Sequence, residues 1–344
     1  MFFLHGKGVF DFTSSLVRPF SSESQHHVDV ALVPYLYTHP SRTLHSSSTI
    51  QHILALIPNG FYPDERASRM KSVSRALPRL SEWQNHSIKF LVFGPGVSHL
   101  ALFGNELCTQ LLQRPNVSIV DIDPWMANVR YNHQFSRLYS KVLIVPYIIR
   151  QRLIDTPKNT DRIISVMFHG DTGRYDGGRR GAVRDILTYI PNSEYKTTFH
   201  LRGNTTALNQ VYRQTLDSML LSRACMCPSG DTPTTRRLYE SLASGCVPIR
   251  VDDIPYKRLP FPKLFNWSAL SFRFRPQRMS LNQRHIRPSD DILATRKNEA
   301  NTVMMFLKDP RLFNMSVDGA QLAAQYINPM RPYPFIDAIL MHWT

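Results

Sequence analysis

The densest chemistry in the chain lies in CPSGDTPTTRRLYESLASGCVPIRVDDIPYKRLPF, residues 227–261. Gly230 and Asp231 form a turn after a short apolar run, RACMC (223–227). Thr232 then suits a helix cap, and Pro233 the first helical position, where a missing N–H costs nothing. The following turns present Thr234, Thr235, Arg236 and Arg237, with Glu240 three or four residues on. A helix N-terminus offers unpaired backbone N–H groups and a partial positive charge. Hydroxyls and guanidinium groups beside it make a cradle for a diphosphate. Glu240, on the same face, suits ribose hydroxyls as an acceptor. Gly245 fits the left-handed position that ends such a helix. A well-capped structural helix with solvated arginines would share some of these features. Strand end, Gly-Asp turn, hydroxyl pair, twin arginines and glutamate together favour an anion site at the carboxyl end of a strand.

Two other stretches bear on chemistry. IISVMFHG (163–170) runs into a glycine-rich segment and then the basic stretch Arg179–Arg184, a pattern that suits a loop closing over phosphate. Asp121 and Asp123 stand at the end of the apolar run VSIVDI. An Asp-x-Asp can hold a divalent metal against phosphates. Here a polar strand end with Asp123 capping the next helix is the favoured reading, because a separate anion-binding motif exists.

These residues need a frame. Short apolar runs recur at 28–35, 89–94, 117–122, 141–147, 163–170, 196–200, 223–227, 247–252 and 269–274. Most are continuous and β-branched or aromatic rather than alternating, as in parallel strands covered on both faces. Helical patterns are expected at 98–113, 179–190, 205–221, 233–243, 290–307 and 317–327. Alternation of this kind means an α/β chain with doubly wound sheets. The polar stretch IIRQRLIDTPKNTDR (148–162) separates two strand series. It sets the expected domains at 1–155 and 156–344.

The chain has 344 residues, 42% hydrophobic, with a formal net charge of +15. A real core can form, and an anionic partner is favoured. The charge is spread along the chain without a basic tail, and no aromatic-plus-basic RNA-binding signature occurs, so nucleic acid ranks low. No run of apolar residues is long enough to span a bilayer. The opening MFFLHGKGVFDF is too short and polar for a leader, leaving a cytosolic protein or a chain without its true N-terminus. Sequons at Asn85, Asn116, Asn204, Asn266 and Asn314 lean toward a secretory lumen. There Cys246 would bridge to Cys225 or Cys227; buried free thiols are the alternative.

The stretch 223–267 closely resembles the donor-binding region of exostosin-type glycosyltransferases, glycosyltransferase family 47. The matching residues are Cys225, Cys227, Gly230, Asp231, Thr232, Pro233, Thr234, Thr235, Arg236, Arg237, Glu240, Ser244, Gly245, Cys246, Pro248, Asp252, Leu259, Pro260, Phe261 and Trp267. Weaker likenesses lie at VDVALVPYLY (28–37), KVLIVPY (141–147), the 162–187 segment and FIDAIL (335–340). The resemblance implies the GT-B architecture of two facing Rossmann-like domains, with a nucleotide-sugar, UDP-linked, held by the C-terminal one. It implies transfer with inversion to an oligo- or polysaccharide acceptor in the Golgi or endoplasmic reticulum lumen, alone or with a partner subunit, homo- or hetero-oligomeric. It adds Arg184, with Arg180 nearby, as a second phosphate ligand. Donor binding would thus rest on Arg184, Gly230, Asp231, Thr234, Thr235, Arg236, Arg237 and Glu240, with no metal or cofactor. An inverting transfer also needs a base. The family's His-Asp pair is absent, with Gly94-Pro95-Gly96-Val97 in its place and Val142 for a second acid. The base therefore stays unassigned among His99, Asp121, Asp123 and His169. A non-catalytic member that binds donor or a partner transferase is the first alternative, a metal-dependent Asp-x-Asp transferase the second.

Overall fold

The computed structural model describes residues 2–5, 42–43, 52–56, 81–84, 89–93, 106, 108–121, 140–147, 149, 151–156, 161–170, 179–197, 205–229, 234–252, 254–277, 290–328 and 332–343. The expected strand at 28–35, together with His99, Asp123, Gly230 and Asp231, lies outside them. The chain divides into two compact units. The first comprises Met1–Ile148, Arg258–Leu264 and Pro329–Thr344; the second comprises Ile149–Lys257 and Phe265–Asn328.

In chain order the first unit holds β1 (Phe2–His5), β2 (Arg42–Thr43), β3 (His52–Leu56), α1 (Ser81–Gln84), β4 (Lys89–Phe93), β5 (Val117–Asp121) and β6 (Val142–Ile144). The strands run parallel in the order β2-β1-β3-β4-β5-β6. Phe90, Leu91, Ile119 and Val120 are buried, as continuous apolar runs predict for a covered parallel sheet. Trp83 meets Phe90 edge-on at 5.0 Å. The Arg114 guanidinium lies 4.8 and 4.6 Å from the two rings and donates to the Trp83 carbonyl.

The second unit holds α2 (Gln151–Asp155), β7 (Ile164–Gly170), α3 (Arg179–Leu187), β8 (Glu194–Thr197), α4 (Thr205–Leu221), β9 (Ser222–Pro228), α5 (Arg236–Ser244), β10 (Val247–Val251), α6 (Trp267–Leu270), β11 (Phe272–Arg273), α7 (Asp290–Leu307) and α8 (Leu312–Tyr326). A last helix, α9 (Pro332–Trp343), returns to the first unit and packs on β6. The second sheet is parallel throughout, ordered β11-β10-β9-β7-β8. Counted from β7, that is the doubly wound order 2-1-3-4-5. The direction of winding reverses between β7 and β9, and ligands of such sheets bind beyond the strand ends there.

Both faces are covered at the centre of this sheet, so β7, β9 and β10 read mostly apolar, while the edge strand β8, EYKT, does not. β10, VPIRV, is buried at every position. Val166, Phe168, Ile249, Val183 and Ile186 pack with Val303 and Phe306 of α7 on one face. On the other, α8 lies against α5 closely enough that a Cβ on Gly319 would sit 2.8 Å from Leu242 Cδ2. Cys225 and Cys246 form a disulfide, while Cys227 and Cys108 are buried thiols outside it. Burial raises the Cys227 thiol to about 11 and the Cys108 thiol to about 12.

Several elements differ from expectation: strands at Phe2–His5 and His52–Leu56 were not expected, and α8 begins at Leu312 rather than 317. The strand expected at 269–274 shrinks to Phe272–Arg273. Asn266 instead opens the helical turn α6, which buries Trp267 and Leu270; their spacing of three puts both on one helical face. The helix expected from Pro233 begins at Arg236 instead, with Thr235 as its extended N-cap. Its end is as expected. Gly245 has φ 69°, and the backbone N–H groups of Gly245 and Cys246 return to Leu242 and Ser241.

Candidate nucleotide-binding site

The site is built where the sheet order reverses, beyond the carboxyl ends of β7 and β9. Gly170 closes β7. A Cβ there would meet Phe168 Cζ at 2.9 Å and Arg237 Nη2 at 3.0 Å, so glycine lets the Arg237 guanidinium lie against the strand. Arg237 donates to the His169 carbonyl, and its Cζ lies 4.8 Å from the Phe168 ring centroid. Its Nε has no hydrogen-bond partner among the described residues. Burial pulls this guanidinium down to about 10, leaving it a cation at neutral pH.

Ser229, just past β9, joins the second basic group. Its hydroxyl accepts from Arg179 Nη1 at 2.7 Å and its carbonyl from Arg180 Nε at 3.3 Å. Its own N–H donates to the Val251 carbonyl, which fixes it at the sheet edge. Arg179 and Arg180 open α3, whose Ala182, Val183, Ile186 and Leu187 are buried. Arg184 lies a helical turn farther along the same helix. Its guanidinium is half exposed and pairs with Asp185 at 2.6 Å. The basic groups brought to the strand ends from α3 are therefore Arg179 and Arg180, and Arg184 is not placed with them.

At the start of α5, Thr234 is buried. Thr235 makes no capping bond, and its Oγ1 has no partner among the described residues. Consecutive helical residues project about 100° apart, and the twin arginines diverge accordingly. Arg237 goes to β7. Arg236 goes to α4, where Nη2 donates to the Tyr212 hydroxyl at 2.5 Å and the guanidinium lies 5.1 Å from that ring. Arg236 Nε also pairs with Glu240 Oε1 at 2.7 Å, and the Tyr212 hydroxyl donates to the same oxygen.

Beneath the site, His169 is 1% exposed. Its Nδ1 lies 3.0 Å from Thr215 Oγ1 and its Nε2 3.0 Å from Glu194 Oε1. Burial lowers the imidazole to about 4, against the opposing pull of Glu194. Burial alone would raise the Glu194 carboxyl, but Lys196, His169 and Ser218 outweigh it and hold it below the usual range. With both ring nitrogens engaged, His169 is a structural tie between β7, β8 and α4, not a surface base. Asp121 ends β5. No group of three or more His, Cys, Asp or Glu side chains able to hold a metal occurs among the described residues.

The turn after β10 rests on a buried ion pair. Arg250, fully buried, meets Asp252 through Nε at 3.0 Å and Nη2 at 2.6 Å. Asp252 Oδ1 also accepts the Ile254 N–H. Sequence reading singled out Asp252 but not its partner, took Arg179 only as the start of a basic stretch, and missed Ser229 and Tyr212 as members of the site. For Arg179 and Ser229 a signal existed, since each is adjacent to the end of an apolar strand or its following loop.

The chain is 32% identical over 134 residues to "Probable arabinosyltransferase ARAD1" of Arabidopsis thaliana, covering 39% of this chain and 28% of that protein. It is 32% identical over 155 residues to "Probable glucuronoxylan glucuronosyltransferase IRX7" of the same plant, covering 42% and 32%. The chain thus spans about a third of the length of these curated relatives. Among solved structures, the glycotransferase of kitacinnamycin is similar at TM-score 0.37 and 10% identity, over 86% of this chain and 77% of that one. The family model of the exostosin GT47 domain matches residues 11–287, and the chain belongs to that family.

Proposed function

We propose that this chain is a glycosyltransferase that takes a sugar from a nucleoside diphosphate, UDP in the first instance, and passes it with inversion to a glycan acceptor. One observation carries the reading: Arg179, Arg180, Ser229 and Arg237 converge at the reversal point of a doubly wound sheet, beside the uncapped start of α5. That is where such sheets bind phosphates. In the reaction the sugar's anomeric carbon leaves the diphosphate as the acceptor oxygen attacks, and negative charge grows on the departing phosphate. Guanidinium groups and helix N–H groups already in place stabilise that charge without reorganisation. The arginines supply the cationic counter-charge in this scheme. The proton of the acceptor hydroxyl goes to a base other than His169, whose ring nitrogens are both occupied.

A lumenal setting fits the Cys225–Cys246 disulfide and the sequon at Asn266, which is exposed and accepts a 2.7 Å hydrogen bond from Ser268. No helix among the described residues is long and apolar enough to cross a membrane. The test is a screen of UDP-sugars with an oligosaccharide acceptor, with and without manganese, read as product and as free UDP. Transfer or donor hydrolysis from one UDP-sugar supports the assignment, and the manganese arm reads any metal dependence. Tight UDP binding without turnover of any donor would make the chain a donor-binding, non-catalytic member.

A further inference from the structure

We propose that Tyr212 is a positioning residue that presents Glu240 to the ribose diol of the nucleotide, and that Arg236 serves this clamp rather than the diphosphate. The inference rests on the donor reading above. Arg236 and Arg237 look interchangeable in sequence, but the two guanidinium groups leave the helix on different sides. Arg237 lies against β7 near Arg180, among the cations at the strand ends. Arg236 closes a triangle with Tyr212 and Glu240 in which all three edges are occupied. The Arg236 and Glu240 side chains are only 10% and 4% exposed.

A buried carboxylate this close to a guanidinium would ordinarily spread its charge over both oxygens in a bidentate pair. Here the Tyr212 hydroxyl and the nearest Arg236 nitrogen both fall on Oε1, and no hydrogen bond to Oε2 occurs among the described residues. The carboxylate is thus held at one oxygen and offered at the other. Oε2 is an acceptor with no hydrogen-bond donor on it among those residues, which suits a neutral hydroxyl pair. A phosphate would be repelled there. Tyr212 reaches Glu240 from α4, 28 residues earlier in the chain, so it fixes the carboxylate's rotamer from outside α5.

The experiment compares UDP with 2′,3′-dideoxy-UDP by calorimetry on the folded protein. Wild type is expected to prefer UDP by about 10- to 100-fold, the size of a hydrogen bond to a charged acceptor. Tyr212→Phe keeps the ring under Arg236 but removes the hydroxyl, so the preference should shrink at least about threefold while dideoxy-UDP affinity stays within about twofold. Arg237→Ala should weaken both nucleotides together and keep their ratio. If Tyr212→Phe does not fold, 3-fluorotyrosine at 212 in the otherwise native chain gives the same answer: its fluorine signal should move with UDP and not with dideoxy-UDP. A ratio unchanged in Tyr212→Phe, or a fluorine signal indifferent to the diol, overturns the clamp and leaves the donor reading standing. Wild-type protein that binds UDP and dideoxy-UDP equally does the same. Wild-type protein that binds neither rejects the donor reading and the clamp with it.

Discussion

Acid should destabilise this protein through His169 in a calculable way. The imidazole is buried against Glu194 and Thr215, with Lys196 and Arg237 as the other charges around it, and titrates at about 4 instead of 6.5. Folding therefore holds it neutral where the unfolded chain would bind a proton. The contribution is complete above pH 6.5 and is lost as pH falls toward 4. The full difference corresponds to about 3 kcal/mol, at about 1.4 kcal/mol per tenfold change in proton affinity. Between pH 7.5 and pH 5 the same linkage relation gives a loss of about 2 kcal/mol. Glu194 is also held below its usual value, but its share is lost at lower pH, outside that window. Urea unfolding of wild type and His169→Gln at the two pH values isolates the effect, because every other titrating group is common to both. Wild type should lose about 2 kcal/mol more than the variant over this interval. Equal losses would mean that His169 is not held neutral by burial, and the picture of a closed His169–Glu194–Thr215 tie would fall.

Three further outcomes follow from the structure. Asp252→Ala strands the fully buried Arg250 cation and should cost about 3–5 kcal/mol; a urea midpoint within error of wild type would contradict the buried pair. Replacing Cys225 and Cys246 by alanine removes a cross-link spanning 21 residues and should cost about 3 kcal/mol, whereas an unchanged midpoint would argue that the bridge does not form. Passage through a eukaryotic secretory pathway should place a glycan on Asn266, lost in Asn266→Gln and visible as an endoglycosidase-sensitive gel shift. Identical migration of the two proteins would remove that support for a lumenal setting.

The strands that carry the site were legible because burial on both faces leaves little room for polar residues: β7, β9 and β10 have the apolar centres VMF, ACMC and VPI. The helices at Thr205–Leu221 and Asp290–Leu307 match their expected spans. The start of α5 was less legible, since Pro233 and Thr235 are both acceptable openings and only the observed backbone chooses Arg236. Arg184 illustrates how one helical turn and a neighbouring carboxylate remove a cation from a site. It follows the same strand as Arg179 and Arg180, but Val183, Ile186 and Leu187 claim the inner face and Asp185 takes its charge. Tyr212 left no trace in the sequence. It sits in an ordinary helix, carries no motif, and gains meaning only when the fold sets α4 beside α5.

The central claim is that the second unit grips a nucleoside diphosphate with the cations around Arg237, and titration calorimetry with UDP tests it most directly. Wild type and Arg311→Ala, an exposed arginine paired with Asp309, should bind UDP alike, while Arg237→Ala should bind about 10- to 100-fold more weakly, as expected for losing one hydrogen bond to a charged group. UDP binding equally strong in Arg237→Ala, or absent from the wild-type protein, would contradict it.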